Sequence, residues 1–487
     1  MPQSDDIHFR SAVQLARMLR SREISSVELL DHFLARKDKY NPALNAIVVC
    51  EEGRARKAAM AADQRLSKGA AAGPLDGLPM TIKESFNWTG TPTTWGVPAH
   101  KDNIAGTDAC AVERLQAAGA IVYGKTNVPF MLSDWQSFND IYGTTNNPWD
   151  VTKVPGGSSG GSAAALAAGM TGLDIGSDIG SSIRNPAHYC GIYGHKPTYC
   201  LVPYTGHSLP GIVVQSDITV AGPLARSAKD LKLAMKILAG PDGVAARGVK
   251  FKLPKPRARR LKDFRVAVML ESEVAEVDDS VKKLIAGLTR FLEPRVQTLS
   301  MTAKPDFDDR EAHDTYIALL RAATSRSQSD DEFLANRATA DALPADDHSY
   351  YANMVRGYTM SQRDWLTYDN RRHQLRQVWD SFFDDYDVLL CPTASTAAFP
   401  HDHEGERHER TIVVNGKQVP VTDQMFWAGY SGCFYLPSTS APIGLTNEGL
   451  PVGIQIITGH HLDLTSIAFA RALEREYYSF TPPPGYD

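Results

Sequence analysis

Residues 155–163 read Pro-Gly-Gly-Ser-Ser-Gly-Gly-Ser-Ala, a density of glycine and serine that an ordinary core segment does not carry. Glycine tolerates positive φ and close backbone approach, so hydroxyls can be presented on a sharply shaped loop. The run Ser162–Met170 that follows is Ala-rich and predicts a helix, which places the loop at a helix N-terminus, where developing negative charge is favoured. Gly176 to Pro186 (Gly-Ser-Asp-Ile-Gly-Ser-Ser-Ile-Arg-Asn-Pro) is a second turn of small residues. Successive backbone N–H groups in such a turn can converge on one oxygen, as an oxyanion hole requires. A third element is Lys83, which ends the apolar run Gly77-Leu-Pro-Met-Thr-Ile82 and is delivered inward by it. Lys83, Ser158 and Ser182 therefore form an ordered set of one amine and two hydroxyls.

Other motifs fail on their surroundings. Gly119–Thr126 (GAIVYGKT) fits the phosphate-loop pattern, but Ile121-Val122-Tyr123 reads as a strand where a phosphate cradle needs a loop. Ser280–Lys283 (SVKK) fits S-x-x-K, yet it lies after Asp278-Asp279 in an amphipathic stretch and reads as an exposed helix start. His401, His403, His408 and Glu404 match no standard zinc spacing, so no metal site is expected. Gly156–Gly160 matches G-x-S-x-G, but Pro148 and Pro155 exclude the strand that an α/β-hydrolase needs before it.

The elements around these loops alternate. Residues 11–38 predict two helices, the second opened by a capping box at Ser25–Glu28, and residues 51–68 predict a third. Short apolar runs at Leu78–Ile82, Ile121–Tyr123, Leu173–Ile175, Val266–Leu270, Val388–Leu390 and Val452–Ile457 predict strands. Helical patterns lie at 107–118, at Ser162–Met170 and across Leu224–Leu238. This alternation predicts an α/β/α fold with a central twisted mixed sheet flanked by helices. The whole chain, 1–487, reads as one domain, with 241–385 the most divergent part and a largely helical insertion or cap. A Pro-containing connector with eight Lys/Arg between Arg247 and Lys262 opens that part.

The chain has 43% hydrophobic and 22% charged residues and a net charge of −5. That composition suits a globular protein and argues against a dedicated nucleic-acid binder, which carries a basic excess. Six cysteines without a C-x-x-C read as reduced thiols. No apolar leader and no membrane-spanning run is apparent, so a cytoplasmic protein, without membrane or nucleic-acid partners, is expected.

The three elements, in this order, make the sequence resemble the amidase signature family of serine hydrolases. The resemblance continues through Cys190–Thr198 (CGIYGHKPT), Gly222–Arg226 (GPLAR) and Gly449–Gln455 (GLPVGIQ), and is weakest between about 241 and 385. It implies a Ser–cis-Ser–Lys triad: Ser182 as nucleophile, Ser158 as bridging serine with a cis peptide to Gly157, and Lys83 as terminal base. The backbone N–H groups of Ile179, Gly180, Ser181 and Ser182 would line the oxyanion hole. The chemistry is coherent, because a serine hydroxyl needs a base and a lysine serves as one near neutral pH only if burial lowers its pKa from about 10.4. Ser181 departs from the family pattern, which has Gly before the nucleophile, and it is a rival nucleophile.

The implied function is cleavage of C–N bonds of small to medium neutral amides through an acyl-enzyme, with no cofactor. Aryl or alkyl anilides and carbamates (a urethanase activity) are candidate substrates, and the enzyme would act as a monomer or homodimer. The alternative is the amidase subunit of a tRNA-dependent amidotransferase complex; Gly194-His195-Lys196-Pro197-Thr198, in place of that subunit's usual Leu-Lys-Pro-Thr, favours the stand-alone enzyme. Trp95, Met131, Trp135, Tyr204 and Trp427 are candidate pocket residues by apolar or aromatic character. Gln136 and Asp178 are candidates to orient the site, although Asp178 could instead pair with Arg184.

Overall fold

A computed structural model describes residues 7–486. The N-terminal helices form where local chemistry specifies them. Ser25 caps Ser26–Leu44 by accepting from the Glu28 N–H, while the Glu28 carboxylate accepts from the Ser25 N–H at 2.8 Å. This is the expected capping box, and Ser11 and Gln14 form a second one at Ala12–Ser21. Glu52–Ser67 is the third helix.

The strands divide between two main sheets. A three-stranded sheet has Ile121–Thr126 in the middle, Ile47–Cys50 antiparallel on one side and Pro79–Lys83 parallel on the other. Lys83, at the end of its strand, stands opposite Thr126. The eight-stranded sheet runs Thr298–Ser300, Arg265–Val268, Val388–Pro392, Pro451–Ile457, Ser438–Leu445, Tyr193–Lys196, Val220–Ala225, Asp174–Asp178. The first three of these are parallel and the rest pair antiparallel. Its inner strands are buried along their length, because helices such as Ala228–Leu238, Arg184–Cys190 and Asp463–Glu476 flank the sheet. That is why Val388–Leu390 and Val452–Ile457 read as continuous apolar runs rather than as alternation.

The large mixed sheet with flanking helices is the architecture expected from the sequence, with three differences in detail. The lysine strand belongs to the small sheet, linked to the large one where the Thr81 N–H donates to Leu173 O and Thr171 Oγ1. The helix expected across Leu224–Leu238 splits into the strand Val220–Ala225 and the helix Ala228–Leu238, because Ser227 caps the helix by accepting from the Asp230 N–H. The third difference concerns 241–385. It holds the helices Asp279–Leu292, Asp309–Thr324, Asp330–Ala342, Tyr350–Tyr358 and Gln362–Asp385, and it also contributes the strands Arg265–Val268 and Thr298–Ser300 to the large sheet. That helical part shares the main apolar core through Tyr316, Ile317, Leu375 and Trp379. Among the described residues no helix is long and apolar enough to cross a membrane.

Two rejected motifs adopt the structures that argued against them. Ile121–Thr126 is a fully buried strand, and Ser280–Lys283 lies in the first turn of Asp279–Leu292, capped by Asp278.

Candidate active site

The glycine- and serine-rich loop leads into the helix Gly160–Ala167. The peptide between Gly157 and Ser158 is cis. Gly157 is required by close approach, since a Cβ there would stand 2.2 Å from the Asp134 carbonyl oxygen. The second loop begins at the end of the strand Asp174–Asp178 and runs into Arg184–Cys190. Asp178 organises it. Its carboxylate accepts from the N–H groups of Ser181 at 2.9 Å and Ile183 at 3.1 Å, and it pairs with Arg184 through Nη2 at 2.8 Å and Nε at 3.0 Å. Both side chains are fully buried. Burial pushes the Asp178 pKa up, but the Arg184 charge and these bonds outweigh it and hold the carboxyl below its ordinary value. Asp178 thus both pairs with Arg184 and shapes the loop.

Lys83 has no exposed surface, and Ser158 and Ser182 are 1% and 4% exposed. Lys83 Nζ is hydrogen-bonded to Ser158 Oγ at 2.7 Å and donates to Ser177 Oγ at 2.9 Å. No carboxylate forms an ion pair with it among the described residues. Burial pulls its pKa down to about 7, opposed by the more distant charges of Asp178, Asp174 and Glu84. Asp174 is itself pushed up to about 7 by burial, despite accepting from Thr81 Oγ1 at 2.6 Å. Ser182 is brought to the first loop through its backbone, whose carbonyl accepts from the Ser159 N–H at 3.2 Å. Among the described residues no hydrogen bond joins the Ser158 and Ser182 hydroxyls.

Of the four N–H groups expected at an oxyanion hole, Ser181's is already given to Asp178. Those of Ile179, Gly180 and Ser182 have no hydrogen-bond acceptor among the described residues, which leaves three free donors. Ser181 has φ of 74°, the left-handed region where glycine is favoured, and its buried hydroxyl has no partner.

The remaining candidates separate. Trp95 lies beside the lysine strand: its N–H donates to Glu84 Oε2 at 3.0 Å, its indole donates to the Ser85 carbonyl at 3.2 Å, and its ring stands 5.1 Å from His207. The Met131 N–H donates to the Trp95 carbonyl at 2.9 Å. Tyr204 packs 4.5 Å from the His207 ring, and burial raises its hydroxyl pKa. Trp135 donates from its indole to the Gly180 carbonyl at 2.7 Å. The Gln136 side chain instead makes two bonds to the backbone of Asp402, at 2.6 and 2.9 Å. Trp427 is fully buried in the main core, 4.9 Å from Phe426.

Sequence reasoning missed three neighbours of the site. Ser177 is a polar residue in a fully buried strand, and that was a usable signal. His207, held by Ser85 Oγ at 2.8 Å, and Tyr316, whose hydroxyl donates to the Ile179 carbonyl at 3.2 Å, arrive from distant segments and carry no such signal.

With this geometry described, comparison with known proteins places the chain. The amidase family model matches residues 28–465, and the chain belongs to that family, as an amide hydrolase of the amidase signature class. It is 33% identical over 475 residues to an indoleacetamide hydrolase of Bradyrhizobium diazoefficiens, covering 95% of this chain and 86% of that one. It is 32% identical to a subunit of the glutamyl-tRNA(Gln) amidotransferase of Methylococcus capsulatus, covering 98% and 99%. The solved structure of a bacterial aryl acylamidase superposes with a TM-score of 0.81 at 26% identity, covering 99% and 98%.

Proposed function

We propose that Ser182, Ser158 and Lys83 form a proton-relay triad that hydrolyses small to medium amides through an acyl-enzyme. One observation carries the reading: a fully buried amine, with no paired carboxylate and a pKa near 7, sits 2.7 Å from the Ser158 hydroxyl. Discharged, Lys83 accepts the Ser158 proton while still donating to Ser177. Ser158 in turn takes the proton of Ser182 as the Ser182 oxygen attacks the amide carbon. This requires the Ser158–Ser182 bond to form in the substrate complex, since such bonds are often long before substrate binds. The N–H groups of Ile179, Gly180 and Ser182 then receive the negative oxygen. Reversal of the relay protonates the leaving amine, and a water molecule, activated by the same relay, releases the acid.

The indoleacetamide hydrolase and the aryl acylamidase that the chain resembles support amides carrying an aryl group, anilides included, as substrates, bound beside Trp95, Met131 and Tyr204 with Trp135 at the oxyanion loop. Carbamates have the same planar acyl group and fall within the same reading. We assign the chain as a stand-alone enzyme, a monomer or homodimer needing no cofactor. The test is the purified chain alone, given anilides, aliphatic amides, esters, carbamates and glutamine without ATP, with products read by mass spectrometry. Turnover of anilides that disappears in Ser182→Ala is expected. Hydrolysis of glutamine alone would favour the amidotransferase role, and full activity of Ser182→Ala would overturn the triad.

A further inference from the structure

The helical region carries a buried cation that the triad does not use. Arg321, in Asp309–Thr324, is 8% exposed. Its guanidinium lies 5.4 Å from the ring centre of Tyr350 and 5.5 Å from that of Tyr358. It donates from Nη1 to the Tyr358 hydroxyl at 3.1 Å and from Nη2 to the Tyr350 hydroxyl. Its Nε has no acceptor, and among the described residues no carboxylate forms an ion pair with it. Arg407 comes from another segment: the ring of its neighbour His408 stacks 5.0 Å from that of Tyr351, next to Tyr350, and the Arg407 charge weighs against that of Arg321. Arg407 is half-buried, donates from Nη1 to the Ser133 carbonyl at 3.1 Å, leaves its Nε unpartnered and has no carboxylate pair among the described residues either. The nearby Asp134 does not neutralise them, because it is bound by Arg410 at 2.7 Å.

Two neighbouring guanidiniums without a counter-ion, one of them buried, are an unfavourable arrangement unless an anion joins them. Both are carried by segments that adjoin the catalytic loops. Arg407 holds Ser133, and the adjoining residues contact the catalytic loops: the Asp134 carbonyl crowds Gly157, and the Trp135 indole bonds the Gly180 carbonyl. Arg321 follows Tyr316 on the same helix, and the Tyr316 hydroxyl bonds the Ile179 carbonyl.

We infer that Arg321 and Arg407 bind a carboxylate at the far end of the amide substrate, so that the enzyme takes amides that carry a negative charge away from the scissile bond. Guanidinium suits this role because its planar donors match a carboxylate. The inference rests on the amide-hydrolase reading and narrows it, since the expected substrate was neutral throughout.

The test is kcat/KM for matched anilides that differ only in a terminal carboxylate or its methyl ester, in the wild type, Arg321→Met, Arg321→Lys and Arg407→Met. The wild type is expected to prefer the acid about tenfold or more, mainly through KM. The ratio should fall toward one in Arg321→Met and in Arg407→Met, and recover in part in Arg321→Lys. A clamp that only braces the helices would change stability and both substrates alike, leaving the ratio intact, and that result overturns the inference. If Arg321→Met does not fold, the wild-type ratio and the half-buried Arg407→Met decide. Free benzoate is added in a parallel arm; rate enhancement of the ester by benzoate, with no preference for the tethered acid, would assign the site to a separate anion and sink the proposal. Equal turnover of acid and ester overturns only this inference, whereas turnover of neither overturns the amide-hydrolase reading itself.

Discussion

Lys83 and Arg321 are both buried cations without a paired carboxylate, and they resolve the same electrostatic problem in opposite ways. The amine of Lys83 can lose its proton, so burial lowers its pKa to about 7 and leaves a base between two serine hydroxyls. A guanidinium does not discharge in the working range of a protein. Arg321 therefore keeps its charge, spread over two tyrosine faces and their hydroxyls. In the proposed reading the same desolvation makes a proton acceptor in one region and an anion site in the other.

Exchanging the two solutions gives the largest expected effect. Lys83→Arg retains charge and cannot accept a proton, so kcat on an anilide should fall on the order of 10⁴-fold, as far as in Lys83→Ala or Ser182→Ala. Steady-state kinetics with a thermal-unfolding control reads this, and substantial activity in Lys83→Arg would show that the lysine is not the base. The pH profile comes next. Activity requires the neutral amine, so kcat/KM should climb about tenfold per pH unit below about 7 and level off above it. A profile flat from pH 5 to 8 would contradict a lysine titrating there.

Ser177→Ala removes one of the two hydrogen-bond partners of Lys83 Nζ and should lower kcat by about 10- to 100-fold, at or below the low end of a full acid–base contribution because the base itself remains. A change confined to KM would mean that Ser177 does not act through the lysine. Tyr358→Phe removes an acceptor from the charge that cannot discharge and should destabilise the fold by about 1–3 kcal/mol, measured by chemical denaturation. The smallest effect is expected at Ser181→Gly. Relief of the left-handed φ and of an unpartnered buried hydroxyl should outweigh the added freedom of the unfolded chain by about 1 kcal/mol. For a chain of this length that is a rise of roughly 1 °C in Tm, and a fall would mean that the hydroxyl is held by more than its surroundings indicate.

Much of the fold was legible because its determinants are local. Ser25 and Glu28 announce a helix start within four residues, and Val388–Leu390 and Val452–Ile457 mark strands whose neighbours leave them little choice. Tyr193–Lys196 and Ser438–Leu445 escaped notice, being short or rich in serine, threonine and proline; they are strands because the sheet on either side supplies their hydrogen bonds. The span from Leu224 misled because helical periodicity begins before Ser227 can cap it. In the site, one strand end and two small-residue loops pointed to Lys83, Ser158 and Ser182, and the fold brings Lys83 to Ser158 and the two loops to each other. Whether the side chains of Gln136 and Trp427 faced those loops was not, since aromatic or polar character does not encode direction.

The order of the glycine-rich loop, the small-residue turn and the lysine-terminated strand was written in the chain itself, because turn geometry and capping depend on immediate neighbours. The family followed from that order. Tertiary structure alone decided that residue 83 is buried without a carboxylate pair, that residue 177 bonds its amine, that the N–H of Ser181 is taken by Asp178, and that Arg321 is buried between two tyrosines without an ion pair. Desolvation and charge pairing are set by whatever segments surround a group in space, and those segments are far apart along the chain.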